Sequence, residues 1–152
     1  MIQFESLYNI LNDWDKLHHA IAFDEWVANQ DRNLGNVIIG INNSVTLIDH
    51  SSLPVHLTWT PEMLDIALEP RNILSDVFRE IPTLQQKMGI LEGASHQQLS
   101  LNLIKEELMH WANKMLNNEQ IEKLTTFLEC RAEFSHDRLS KKYGVLALAG
   151  VA

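Results

Sequence analysis

The chain holds one cysteine, Cys130, in 152 residues. That excludes an internal disulfide framework and fits a reducing cytoplasm. Basic residues are also scarce: 12 Lys and Arg stand against 20 Asp and Glu, a formal charge of -8. A sequence-independent nucleic-acid binder needs a basic face to neutralise phosphates, so that class is excluded. A small anionic ligand held through a metal ion remains open. No apolar run approaches a bilayer span, and "MIQFESLYNI" lacks a basic region followed by a hydrophobic core, so neither a membrane span nor a secretory leader is expected. The closing "LALAGVA" is apolar but short, and reads as a docked tail or partner contact. Internal repeats, basic tracts and low-complexity linkers are absent. What remains is ordinary globular composition, 45% hydrophobic and 21% charged. The length suits one domain, residues 1–152, with a real core.

Along the chain, Leu7, Ile10, Leu11, Trp14, Leu17 and Ile21 recur at three- and four-residue steps. This predicts helix over 4–28, in one or two pieces. "NQDRNLGN" has no apolar period and contains Gly35, so it reads as a loop. "VIIGI" (37–41) and "SVTLI" (44–48) are β-branched runs around Asn42-Asn43, which suits a two-residue hairpin turn because Asn tolerates the left-handed conformation. After Asp49 the chain reads as helical. Thr60-Pro61-Glu62 starts a short helix around 62–69, and Pro70 and Pro82 bound another around 71–81. Ser95 with Gln98 predicts a capping-box start for a long helix containing Leu99, Leu103, Leu108, Trp111 and Met115. Asn118 caps a last helix carrying Ile121, Leu124, Leu128 and Leu139, and Gly144 stops it. The fold class is thus mainly α, a helical bundle with one small β-hairpin at about 37–48.

Chemistry concentrates in and after the loop. Asp31 opens it, and Asn36 stands five residues on, at the entry to the first strand. Asp49 follows the second strand, so an antiparallel hairpin returns it beside the loop. Asp, Asn and Asp supply hard oxygen ligands with one carboxylate to spare, which suits Mg²⁺ completed by phosphates. Such a division is that of phosphoryl transfer: one Asp orients a hydroxyl, while Asn and the other Asp hold the metal. The bland alternative is a polar turn, because Asp, Asn and Gly are ordinary loop residues.

"FDEWVANQDRNLGN" followed by a hairpin and "LIDHS" resembles the catalytic segment of kinase-fold phosphotransferases, most closely the HipA-like serine/threonine kinases, with the phosphoinositide lipid kinases more distant. "FLECRAEFSHDRLSKKYGV" is similar to their closing helix. The resemblance implies a kinase C-terminal lobe, Asp31 as catalytic residue, Asn36 and Asp49 as metal ligands, and Mg²⁺ and ATP as cofactors. Arg32, Asn33 and His50 are the candidate supporting residues. Asp49-His50-Ser51 stands where ordinary protein kinases have Asp-Phe-Gly, and Arg32 follows the Asp rather than preceding it. Both departures fit the HipA-like and lipid-kinase branches.

Only 30 residues precede Asp31, with Lys16 their single lysine and no glycine before Gly35. They leave no room for a nucleotide-binding lobe with its phosphate loop and lysine. The expectation is a C-lobe that is half of a split kinase, a truncated pseudokinase acting as a binding module, or part of a longer enzyme. In each case a protein partner or self-association covers the exposed interlobe face. Elsewhere the bland readings are preferred. His18, His19 and His56 lack a zinc pattern, the four tryptophans and Cys130 read as core, and the "KEE" and "NNEQIEK" patches read as solvated helix faces.

Overall fold

In the computed structural model, described over residues 4–145, the chain is mainly helical with one two-stranded antiparallel sheet. The N-terminal helical pattern resolves into α1 (Phe4–Asn12) and α2 (Leu17–Trp26). Then come β1 (Val37–Ile39) and β2 (Val45–Leu47). Four helices complete the fold: α3 (Leu84–Ser95), α4 (Gln97–Met115), α5 (Asn118–Glu133) and α6 (Ser135–Lys142). No helix among the described residues is long and apolar enough to cross a membrane. The "LALAGVA" reading lies outside the described residues.

The hairpin forms with a wider turn than expected. Val37 pairs with Leu47 and Ile39 with Val45, and Gly40 N–H donates to Ser44 O at 2.8 Å, so three residues, 41–43, make the turn. Asn42 and Asn43 are both left-handed, at φ 57° and 58°. A two-residue turn would have set Val37 against Ile48 and split the apolar residues between faces. The observed register puts Val37, Val45 and Leu47 together against the core, because cross-strand partners share a face.

Two cores share α2. Leu17, Ile21 and Ala22 join Leu11, Leu74, Ile90 and Leu139 in the first, while Trp26 joins Leu101, Phe127 and Leu128 in the second. Gly93 lets α3 lie directly on α2. A Cβ there would stand 3.1 Å from both Ala22 Cβ and His19 Cα.

Several helical expectations are corrected. The segments around 62–69 and 71–81 are tight turns, Pro61–Met63 and Ile73–Phe78, in mostly irregular chain. Their carbonyls have other partners: Arg131 Nη1 donates to Ile66 O at 2.7 Å and Leu68 O at 2.8 Å, replacing helical N–H groups. Ser95 ends α3 rather than opening a helix. The capping boxes sit instead at Thr83 with Gln86 and at Asn117 with Gln120, the latter one residue before Asn118. The last helix breaks at Phe134 into α5 and α6, and Gly144 follows at φ 66°.

Most of the predicted apolar row of α4 faces outward, while Leu108 is half-buried against the second core. Leu99, Leu103, Trp111 and Met115 are exposed, and Gln97, Leu101 and Ala112 are the buried positions. Trp26 is buried, Trp14 and Trp59 are half-buried, and Cys130 is half-buried rather than a core thiol.

Candidate functional site

The site is best built from its buried side outward. Asp24 and Glu25 end α2 with their side chains at 1% and 0% exposure. Asp24 takes a bidentate pair from Arg32, Nε to Oδ2 at 2.8 Å and Nη2 to Oδ1 at 2.9 Å. Asn29 Nδ2 adds a third bond to Asp24 Oδ1 at 2.8 Å. Two carboxylate oxygens buried together are tolerable only when so fully paired. The same Arg32 reaches forward through Nη1 to Ile48 O at 3.3 Å. One guanidinium thus ties the end of α2, the loop and the exit of β2 together.

Glu25 is anchored from the far end of the chain. Lys142 Nζ lies 2.6 Å from Oε1 and Arg138 Nη1 3.5 Å from Oε2. Arg131 donates to Trp26 O at 2.7 Å and to the carbonyl of Glu25 itself. Burial pushes Arg131 down to about 10, with Arg138 adding to the shift and Glu25 opposing it, so it stays charged at neutral pH. Burial also raises the Tyr143 phenol to about 12, reinforced by Glu25.

On this base the loop is folded by its own amides. Asn29 Oδ1 accepts the Asp31 N–H at 3.1 Å, and Asn33 Oδ1 accepts the Gly35 N–H at 2.8 Å. A Cβ on Gly35 would lie 2.9 Å from that same Asn33 oxygen, so a side chain there would push the Asn33 amide aside. Asn36 is buried; its Nδ2 points to Asp31 O at 3.5 Å and its carbonyl accepts from Ile48 N at 3.0 Å. The hairpin therefore returns residue 48 beside residue 36, as expected, with Asp49 next in line.

The sequence candidates separate into two groups. Asp31 and Asp49 are exposed, and their side chains accept from hydroxyls: Ser52 Oγ donates to Asp31 Oδ2 at 2.9 Å and Ser51 Oγ to Asp49 Oδ1 at 2.7 Å. Asp49 holds a left-handed φ of 54°, tolerable for Asp. His50 is exposed and stands edge-on to Phe23, with ring centroids 6.5 Å apart. Arg32 and Asn33, by contrast, are spent on structure. Sequence reading missed Asp24, Asn29, Ser51 and Ser52. The available signal was an Asp-Glu pair inside the apolar stretch "AIAFDEWVA", where unpaired acids would not be buried.

No family model, curated protein or solved structure matches the chain. Its chemistry must be read from its own atoms. Among the described residues no three His, Cys, Asp or Glu side chains gather as a metal cage. The candidate set is leaner: one amide oxygen, Asn36 Oδ1, which accepts no hydrogen bond among the described residues, and one exposed carboxylate, Asp49. Such a set fits Mg²⁺, which keeps several waters and takes few protein ligands, and fits Zn²⁺ poorly.

Proposed function

We propose that this chain is the catalytic-loop half of a Mg²⁺- and ATP-dependent phosphotransferase of HipA-like type, a kinase C-lobe that works with a second, phosphate-binding lobe supplied in trans or by another stretch of protein. The observation that carries the reading is the clamp of Arg32. It fixes Asp24, the loop and Ile48 O together, so Asp31 and Asp49 project from one rigid base. The "DRNLGN…LIDHS" resemblance supports the same assignment.

In this reading Asn36 Oδ1 and the Asp49 carboxylate hold Mg²⁺, which supplies charge neutralisation on the nucleotide phosphates. Asp31 does the work on the acceptor. Its Oδ2 is occupied by Ser52, which leaves Oδ1 to accept the hydrogen bond of an incoming hydroxyl. The carboxylate orients that hydroxyl and takes its proton as the new O–P bond forms and the bond to the nucleoside diphosphate breaks. Asn29 and Arg32 are positioning residues. The test is calorimetric titration of the chain with ATP, with and without Mg²⁺. Weak, Mg²⁺-dependent binding that vanishes in Asp49→Ala is expected. Binding indifferent to both Mg²⁺ and Asp49 would overturn the reading.

A second reading, a pseudokinase that serves as a protein-binding module, is favoured by the outer side of the hairpin. Ile38, Ile41 and Ile48 are 49%, 87% and 37% exposed beside the candidate site. Such a cluster suits coverage by another lobe, a partner or a second copy. A partner captured through Ile38 and Ile41 by a chain that never binds Mg²⁺ would favour this reading over the first.

A further inference from the structure

Four of the chain's seven histidines, His18, His19, His96 and His136, stand where α3 meets α2 and α6, and the chemistry proposed above uses none of them. The His18 ring is half-buried and stacked on Phe78, with centroids 6.0 Å apart. Its Nε2 is shut off from solvent and has no hydrogen-bond partner among the described residues. Gly89 of α3 closes over the other nitrogen: a Cβ there would stand 2.8 Å from His18 Nδ1. One turn on, Gly93 brings the α3 backbone close to His19, where a Cβ would stand 3.1 Å from Cα. The exposed His19 ring stacks on His96, just past the end of α3, with centroids 5.9 Å apart. Thus α3 rests on one buried imidazole nitrogen and ends beside a stacked pair of imidazoles.

Both arrangements suit neutral rings. An imidazolium at position 18 would hold a buried N–H with no acceptor, which costs free energy. The surrounding charges do not offset this. Burial first and His19 second lower the His18 pKa, and Glu92 of α3 only partly opposes them. His136 of α6 lines the same cavity, with the Asp137 carboxylate 3.8 Å from its ring. Beside Phe78, Asp76 is paired with Arg71 and Arg79 with Glu5. Asp15 and Lys16, of opposite sign, border His19. Charging the exposed His19–His96 pair sets like charges together, at a smaller cost because water screens them. We propose that the α2–α3 joint is an acid-responsive release, in which protonation of His18, aided by the His19–His96 pair, lifts α3 from α2 while α4 and α5 stay packed. Within α4 and α5 the one histidine is His110, which is exposed. The sign follows from linkage. The contribution of His18 is complete above its ordinary value of 6.5 and is lost as pH falls below it, because the unfolded chain takes up the proton first.

Amide hydrogen exchange of the full chain at about pH 7.5 and about pH 5, expressed as protection relative to the unstructured rate, tests the release. Protection over Leu84–Ser95 should fall severalfold more than protection over Asn118–Glu133. His18→Gln should remove most of that difference. His96→Gln, at an exposed position, should remove a smaller part and serves if the first variant does not fold. His110→Gln should leave the difference intact. The His18 ring signals of the parent protein give a check that needs no variant: they should titrate below 6.5, in step with the loss of α3 protection. Equal loss over α3 and α5 would overturn the proposal, as would a difference that survives both His18→Gln and His96→Gln or disappears in His110→Gln. A His18 ring that titrates at or above 6.5 would overturn it as well.

Discussion

Four acids, all within 26 residues of one another, lead opposite lives in this fold. Asp24 and Glu25 are buried and saturated by cations; Asp31 and Asp49 are exposed and meet hydroxyls. The difference lies in the partners the fold supplies. Arg32, Arg138 and Lys142 are spent on the first pair, which makes the base of the loop rigid and leaves the second pair with capacity to accept. A reaction site needs both properties: carboxylates with free lone pairs, and a support that does not move when they are loaded.

The sharpest way to break this contrast is to remove a cation from the buried side. Arg32→Ala strands Asp24 with Asn29 alone and should cost ~3–5 kcal/mol of folding stability, the usual penalty for an unpaired buried charge. Urea unfolding reads it directly, and a loss under 1 kcal/mol would show that the clamp does not hold the loop.

The alkaline limb tests the anchorage of Glu25. Tyr143, which also bonds Ser75 at 3.0 Å, has its pKa raised from 10.0 to about 12 by burial first and Glu25 second. Below pH 10 both folded and unfolded chains hold the phenol proton, so its contribution is intact. Between pH 10 and about 12 the unfolded chain ionises first, and stability must fall as pH rises. Tyr143→Phe should lose roughly 1 kcal/mol at neutral pH with its hydrogen bond, and should show a shallower decline above pH 10 than the parent. Parallel slopes for the two proteins would remove Tyr143 from the account.

The smallest expected effect lies on the exposed side. Asp31→Asn and Asp49→Asn should each change stability by less than about 0.5 kcal/mol, as exposed substitutions do. Thermal melts matching the parent, alongside lost metal response in Asp49→Asn, would separate the two pairs of acids by function. A large destabilisation in either would make them structural after all.

The sequence carried the exposed side of this comparison better than the buried side. The hairpin was legible because "VIIGI" and "SVTLI" are β-branched runs on either side of Asn42-Asn43, and the loop because "NQDRNLGN" has no apolar period and contains Gly35. The partners of Glu25 were not legible, since Arg131, Arg138 and Lys142 lie more than 100 residues away and local patterns do not see them. The helix α3 escaped notice because "LQQKMGILEGAS" carries two glycines and little apolar period. Its capping box at Thr83 was present, but α2 packed against Gly93 is what holds it. The α4 row misled in the opposite sense: a true helical period put Leu99, Leu103, Trp111 and Met115 on an exposed face, while Leu108 packs against the second core.

The central claim, that Asn36 and Asp49 converge on one divalent cation in front of a rigid base, is tested most directly with Mn²⁺. Titrated into ¹⁵N-labelled protein at substoichiometric amounts, it should broaden amide resonances of residues 31–36 and 48–52 before all others, and Asp49→Asn should abolish the effect. Broadening spread evenly over the acidic surface, or unchanged in Asp49→Asn, would contradict it.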